Sequence, residues 1–148
     1  MRDILKSSST HNQSMESDEA GALYGQYIKA FENRDYEFIA DVCRTPFFAA
    51  SPSGTIVFEN RDHLIDGFSS LREPLADEGY VRSRINEIRV TEIAESTVTL
   101  FVDFDRMNSQ DEAYHNGQAL YIMQRSDVLS IIGIIVLDSG TVSKWTGE

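Results

Sequence analysis

The sequence of 148 residues is short of several features, and each shortage excludes a class of protein. It has a single cysteine, Cys43, which excludes an internal disulfide and a cysteine-based metal cluster. Its three histidines are scattered and form no paired ligand motif, so we expect no metal site. It has neither a glycine-rich phosphate loop nor a serine elbow, and we expect no cofactor. Its most apolar run, residues 129–137, is far too short to cross a bilayer as a helix.

Basic residues are also scarce, since 13 Lys and Arg stand against 24 Asp and Glu, for a net charge of −11. This balance argues against binding to nucleic acid or to an anionic membrane, both of which need a basic face. Residues 1–16 are polar, with no apolar core of the kind a signal peptide needs, so a flexible tail and a cytoplasmic location are expected. Met15 is an alternative start. One domain is expected over residues 17–140, with a polar tail over 141–148 that contains Trp145.

The clearest pattern in the chain is alternation of apolar and polar residues, which predicts three consecutive strands over 96–106, 113–125 and 129–138. The polar stretch 106–112 predicts a hairpin that pairs Val102 with Gly117 and Leu100 with Ala119. This register puts Tyr121 on the same face as the apolar residues of the first strand. The third strand is apolar on both faces, so we expect it at the centre of the sheet or against a partner subunit.

Upstream of this meander, residues 18–33 and 36–43 predict two helices, the second with Cys43 on its apolar face as a buried structural thiol. Residues 47–51 and 55–59 predict a hairpin, and Asn60 or Asp62 starts a third helix. Residues 80–93 predict a long strand with a bulge between Ile85 and Ile88. The order helix, helix, strand, strand, helix and four strands is typical of the α+β class.

Three segments carry a resemblance to a known family: YIKAFENRDYEFIADV near the start, then NGQALYIMQRSD and LSIIGIIVLD. The chain resembles the nuclear transport factor 2-like superfamily, also called the SnoaL-like or cystatin-like α+β cone. The resemblance implies a strongly bent, mixed or antiparallel sheet around the first helix, with an apolar cavity between them. It also implies a homodimer through the outer sheet face. The apolar residues that the predicted register turns outward fit such a face: Phe101, Leu120, Ile122, Ile132, Ile134 and Val136.

This scaffold hosts isomerases, dehydratases, cyclases, hydrolases and binding proteins, so the resemblance leaves the function open. By resemblance to ketosteroid isomerase, Tyr27 falls at the tyrosine of the first helix. The position of the catalytic base falls at Ser51, which cannot abstract a proton from carbon, so steroid isomerisation is disfavoured. His115 is predicted on the concave face, where it could act as a general base. With Tyr27 and Tyr121 it forms the candidate catalytic set, a partial match to dehydratase relatives.

The predicted cavity wall consists of Tyr27, Phe31, Phe48, Phe68, Val102, Tyr121 and Ile135. Arg84 and Asn86 would hold a carboxylate or carbonyl of a ligand if the bulge turned them inward, and would lie on the solvent face otherwise. Asp103 and Asp105 are expected to face outward. These features favour binding of a small, largely apolar molecule. The alternatives are a cofactor-independent isomerase, dehydratase or cyclase, or a dimeric interaction module.

Overall fold

The computed structural model describes the backbone of residues 2–137 and the side chains of residues 17–137. Trp145 and the predicted tail after residue 140 lie outside the described residues. The helices are α1 (Arg2–Glu32), α2 (Tyr36–Val42) and α3 (Arg61–Arg72), and a 3-10 turn follows at Glu73–Glu78. The strands are β1 (Cys43–Ser51), β2 (Gly54–Phe58), β3 (Arg82–Ala94), β4 (Thr97–Met107), β5 (Ala113–Arg125) and β6 (Leu129–Val136). The predicted α+β order is confirmed. Among the described helices, none is long and apolar enough to cross a membrane.

Helix α1 begins at Arg2, well before the start that the sequence predicted near Asp18. Residues 2–18 contain no proline or glycine, so nothing in the sequence interrupts the addition of one hydrogen bond per residue to the helix. Further along, Ala20, Tyr24, Tyr27 and Phe31 form the face that packs on the sheet. The boundary at residue 16 between a tail and the domain stays a prediction.

The short helix α2 is capped as the sequence predicted, since the side chain of Asp35 accepts a hydrogen bond from the amide of Phe38. The predicted position of Cys43 in this helix is wrong. Cys43 has an extended backbone and pairs with Ile131 of β6, so the chain enters the sheet before Pro46 instead of at it. Its thiol is buried, as expected, and burial raises its pKa.

Helix α3 begins at the predicted cap Asn60, whose side chain accepts a hydrogen bond from the amide of His63 at 2.9 Å. Its last residue, Arg72, is buried against the end of α1. The guanidinium donates to the carbonyl oxygens of Phe31 and Glu32, both at 3.0 Å, and lies 4.7 Å from the ring centre of Tyr80. Arg72 therefore satisfies carbonyls that α1 leaves open at its end, and it joins α1, α3 and the start of β3.

The six strands form one sheet in the order β2-β1-β6-β5-β4-β3. Strand β6 lies inside the sheet, parallel to β1 and antiparallel to β5, which confirms its predicted central position. The helices cover one face, called here the inner face. The opposite face is called the outer face. An interior position explains why β6 is apolar on both sides.

The pairing of β4 with β5 differs from the predicted register by two residues, because Val102 pairs with Ala119 and Phe104 pairs with Gly117. The turn is wider than expected. The Asn108 side chain accepts hydrogen bonds from the amides of Gln110 and Glu112 and so organises the turn. A shift of two residues keeps every side chain on its face, so the predicted inner face was right although the partners were wrong.

Two bulges, one in β3 and one in β6, decide which residues of these strands face inward. The bulge predicted in β3 is confirmed, because the pairing with β4 skips Asn86 between Ile85 and Glu87. A second bulge was not predicted. The pairing of β5 with β6 skips Ile132, so the residues after it change sides. Ile134 and Val136 therefore point inward instead of outward.

The same bulge corrects the predicted place of Ile135, which pairs with Leu120 on the outer face. Phe48 also lies on the outer face and not in the cavity wall, because its neighbour Phe47 takes the inward position. Phe47 stacks on Phe58 with ring centres 6.1 Å apart. Phe48 instead covers Gly133, whose missing side chain leaves room for its ring.

Two glycines in helices give a matched test of this packing. Alanine favours a helix over glycine by about 1 kcal/mol, so Gly25→Ala in α1 should raise the free energy of unfolding, since a Cβ there meets nothing within 4 Å. Gly67→Ala in α3 should lower it by about 1–2 kcal/mol, because overpacking outweighs that gain. A Cβ at Gly67 would lie 2.4 Å from the buried ring of Phe58. Urea denaturation checks both variants, and equal signs would contradict this packing.

Candidate ligand cavity

A cavity of about 50 Å³ lies between α1 and the inner face of the sheet, where the resemblance implied one. A water molecule needs roughly 10–15 Å³ measured in this way, so the space suits a small organic group or a few waters. Its wall is largely aromatic and aliphatic. The lining residues are Tyr24, Tyr27, Ile28, Phe31, Leu71, Tyr80, Ser83, Phe104, Arg106, Gln118, Ala119, Tyr121, Ile134 and Val136.

Three buried tyrosines, Tyr24, Tyr27 and Tyr121, form one side of the cavity and are called here the tyrosine triad. The ring centre of Tyr121 lies 5.1 Å from that of Tyr24 and 5.4 Å from that of Tyr27, in edge-to-face contact. The side chains of Tyr24 and Tyr27 both act on the pKa of the Tyr121 hydroxyl, which lies among them. The triad arises because Tyr24 and Tyr27 are three residues apart on α1 and Tyr121 has the inward parity of β5.

The pKa of each triad hydroxyl lies well above the ordinary value of 10.0, and burial is the main cause. All three hydroxyls are therefore protonated at neutral pH. They can donate hydrogen bonds to a carbonyl or hydroxyl oxygen, but they do not act as bases. The chemistry that the triad offers is recognition and polarisation of an oxygen atom.

The other end of the cavity is polar. The hydroxyls of Tyr80 and Ser83 lie 2.7 Å apart, and the amide of Ser83 donates to the Glu32 carboxylate. Burial raises the pKa of Tyr80 to about 12. Arg106 pairs with Ser83 across β3 and β4, and its side chain is 10% exposed. Its guanidinium lies 3.9 Å from the carboxylate of Glu78.

Of the residues that the sequence assigned to the cavity, Tyr27, Tyr121 and Phe31 lie in its wall. Phe68 lies behind the wall, with its ring centre 6.0 Å from that of Tyr27. Val102 is fully buried on the inner face but does not reach the cavity. The structure therefore brings together the aromatic part of the predicted site.

Arg84 and Asn86 take the outward of their two predicted orientations. Arg84 donates to the Asp105 carboxylate at 2.6 Å, and Asn86 donates to Asp103 at 3.0 Å. Hydrogen bonds from the amides of Asn86, Gln118 and Asn116 lower the pKa of Asp103. These polar groups satisfy one another on the outer face, and neither Arg84 nor Asn86 is among the residues that line the cavity.

His115 lies on β5 opposite Arg106, half-buried, at the polar end of the cavity. It is not one of the residues that line the cavity. Its predicted part in proton transfer stays a prediction. Within residues 17–137, no group of three or more His, Cys, Asp or Glu side chains could hold a metal ion.

The cavity also contains residues that the sequence did not assign to it, among them Tyr24, Tyr80, Ser83 and Arg106. Parity could have found Arg106, because the even-numbered residues of β4 point inward and Arg106 continues that series after Val102 and Phe104. Tyr24 shares the apolar face of α1 with Tyr27. Tyr80 and Ser83 precede the bulge of β3. Which residues of that segment face inward depends on where the bulge lies, and the sequence alone does not fix its position.

Comparison with known proteins identifies the family. The model of a family described as NTF2-like protein (DUF6841) matches residues 18–137, most of the chain. The chain belongs to this family. No significant match was found among curated proteins.

Solved structures show the same NTF2-like fold at low sequence identity. An NTF2-like protein with a cystatin-like fold from Novosphingobium aromaticivorans is 12% identical, with a TM-score of 0.68 over 97% of each chain. Rv3472 of Mycobacterium tuberculosis, of unknown function, is 13% identical, with a TM-score of 0.68 over 93% of this chain and 79% of its own. A putative scytalone dehydratase from Novosphingobium aromaticivorans is 10% identical, with a TM-score of 0.65 over 86% of each chain. These likenesses concern the fold alone.

The tyrosine triad predicts how this NTF2-like domain responds to alkali. The raised pKa of each triad hydroxyl gives a stabilisation that is complete below pH 10 and is lost above it, by about 1.4 kcal/mol per pH unit and per tyrosine. Tyr121→Phe should flatten this slope. In the folded protein, tyrosinate absorbance near pH 12 should come from Tyr36, Tyr80 and Tyr114, whose pKa values are each raised to about 12.

Absorbance and circular dichroism measured on one alkaline titration check this expectation. The triad should ionise together with the loss of the folded signal. Ionisation of all six tyrosines while the fold persists would contradict the buried arrangement of the triad.

Proposed function

We propose that this NTF2-like domain binds a small, largely apolar molecule in the cavity between α1 and the sheet. The observation that carries the proposal is the composition of the wall, in which aromatic and aliphatic side chains surround a few convergent hydroxyl groups. This combination is typical of small-molecule sites, where apolar contacts supply affinity and polar groups fix orientation. One or more of these hydroxyl groups would donate to an oxygen atom of the ligand while the aliphatic residues of β6 contact its apolar body.

Binding is favoured over catalysis because no Asp, Glu or His is found among the described residues that line the cavity. An isomerase, dehydratase or cyclase of this kind needs a group that accepts a proton from carbon or oxygen. The triad stays protonated and can support such a reaction only as a donor to an oxyanion. Two candidate bases lie beside this wall. His115 is opposite Arg106 by strand pairing, and the Glu32 carboxylate accepts the amide of Ser83, so an enzymatic role would require one of them to reach the ligand.

Filling the cavity tests the binding proposal. Ala119 lies in the wall and is 4% exposed, so Ala119→Leu would place an isopropyl group in the space a ligand needs. Propionamide, a small neutral molecule with an ethyl group and one carbonyl, is the probe. We expect saturable NMR shifts at Tyr27, Ala119 and Tyr121, and affinity at least about tenfold weaker in Ala119→Leu because a filled pocket cannot enclose the ethyl group.

The matched control is Ala113→Leu, which makes the same change at an exposed position of the same strand. It should bind propionamide as the wild type does. Equal binding by Ala119→Leu, or shifts confined to residues away from the cavity, would overturn the proposal.

We also propose that the domain forms a homodimer through the outer face of its sheet. An outer patch of six apolar residues crosses five strands, from β2 to β4. Its members are Phe48, Val57, Phe101, Leu120, Ile122 and Ile135. Val57 is 41% exposed, and Arg89 covers the ring of Phe101 at 4.5 Å. A second copy offers an apolar sheet face of the same extent, and a two-fold axis would place the two patches together.

Sedimentation of a charged variant tests the dimer. Leu120→Glu should give a monomer, because a carboxylate in the interface would lose water without a partner, at a cost of several kcal/mol. Val128→Glu makes a comparable change in the turn between β5 and β6, where the residue is 65% exposed, and should leave the dimer intact. A wild type that sediments as a monomer at high concentration would contradict the proposal.

A further inference from the structure

The charge of the cavity points to the kind of molecule it takes. Among the described residues of the wall, Arg106 is the one with a charged side chain. The chain as a whole carries a net charge of −11, so the positive charge at the cavity is opposite in sign to that of the protein. Its side chain is nine-tenths buried, and oxygens at the guanidinium, such as those of the Glu78 carboxylate 3.9 Å away, offset the cost of burying its charge.

The hydroxyl groups beside Arg106 suit an anion with two oxygen atoms, and the Glu32 carboxylate, which accepts the Ser83 amide at 2.9 Å, is the negative group that such an anion would adjoin. Ser83 is its cross-strand partner on the inner face, so the two side chains are neighbours. The Ser83 hydroxyl shares a hydrogen bond of 2.7 Å with the hydroxyl of Tyr80, and either one can donate. One of these hydroxyls can therefore turn its proton toward a ligand while the pair stays within contact. A guanidinium and a hydroxyl side by side match the planar shape of a carboxylate.

The rest of the cavity defines the remainder of the ligand. Beyond Phe104, the wall continues with Ala119, Ile134 and Val136 and ends at the tyrosine triad. An apolar body fits this part, and a volume of about 50 Å³ limits it to a small one. The charge lies at one end of the cavity and the apolar surface at the other, so the ligand should have one charged end and one apolar end.

We propose that the ligand is a small carboxylic acid, with its carboxylate on Arg106 and the Ser83–Tyr80 hydroxyl pair and its apolar body toward the triad. This inference rests on the proposed binding function and specifies the ligand for the same cavity. It assigns Arg106 as the residue that selects the anion. The Glu78 carboxylate, 3.9 Å away and half-exposed, would remain the outer partner of the guanidinium.

Propionate and propionamide provide the test, because they differ in charge and hardly in shape and are small enough for the cavity. NMR titration of the full chain at neutral pH should show propionate binding about tenfold tighter than propionamide or more, the scale of a charge-assisted hydrogen bond. The side-chain Nε–H signal of Arg106 should shift with propionate. In Arg106→Gln the preference should vanish while propionamide still binds within about twofold, since the apolar wall is unchanged.

Two further variants keep the test decisive. Arg106→Lys retains the charge and should keep part of the preference, which covers the case in which Arg106→Gln fails to fold. Arg84→Gln removes an arginine of the outer face, bound to Asp105, and should leave the preference at the wild-type value. A preference that survives in Arg106→Gln, or that Arg84→Gln abolishes equally, would overturn the assignment.

The outcomes separate this inference from the proposed function. If propionate and propionamide bind equally and Ala119→Leu weakens both, the cavity binds ligands but does not select acids. If neither compound binds in the cavity, both proposals fail. A tighter complex with propionate that depends on both Arg106 and the space beside Ala119 supports both.

Discussion

The buried guanidinium of Arg72 is the contact on which the arrangement of helices and sheet depends. It donates to two carbonyl oxygens at the end of α1 while it belongs to α3, and it lies against the ring of Tyr80 just before β3. Helix ends need partners for their open carbonyls, and a charged donor is a strong one. Because this contact fixes the end of α1, Tyr24 and Tyr27 are held at a fixed distance from the sheet. The cavity lies in the gap that remains between α1 and the sheet.

Within that frame, the bulges decide which side chains meet in the cavity. Skipping Asn86 brings Ser83 and Ile85 to the same face as Val90, although the residue numbers alone would separate them. Skipping Ile132 turns Ile134 inward beside Tyr121. Each bulge also turns a neighbouring residue to the outer face. The same two bulges therefore shape both the cavity and the outer patch. A change at either bulge would alter both surfaces.

The sequence was sufficient for the order of the elements, the bulge in β3 and the central place of β6, because alternation and capping residues act locally. It was also sufficient to place Tyr27, Phe31 and Tyr121 in one wall. It was not sufficient where a contact between distant segments decides which of two locally equivalent arrangements forms. Phe47 and Phe48 are chemically the same, and the pairing with Phe58 decided which one faces inward. Nothing near Ile132 marks a bulge, and Arg72 became a helix cap only through packing of distant segments.

The position of β6 has a consequence for how the chain is made. This strand lies between β1 and β5, yet it is the last of the described strands in chain order. During synthesis the strands before it leave the ribosome with two unpaired edges, one on β1 and one on β5, and β6 pairs with both of them. The hairpin of β1 and β2 and the meander of β3, β4 and β5 can pair early, since each is local. Completion of the core must wait for Leu129–Val136, and until then the nascent chain exposes the edges that chaperones recognise.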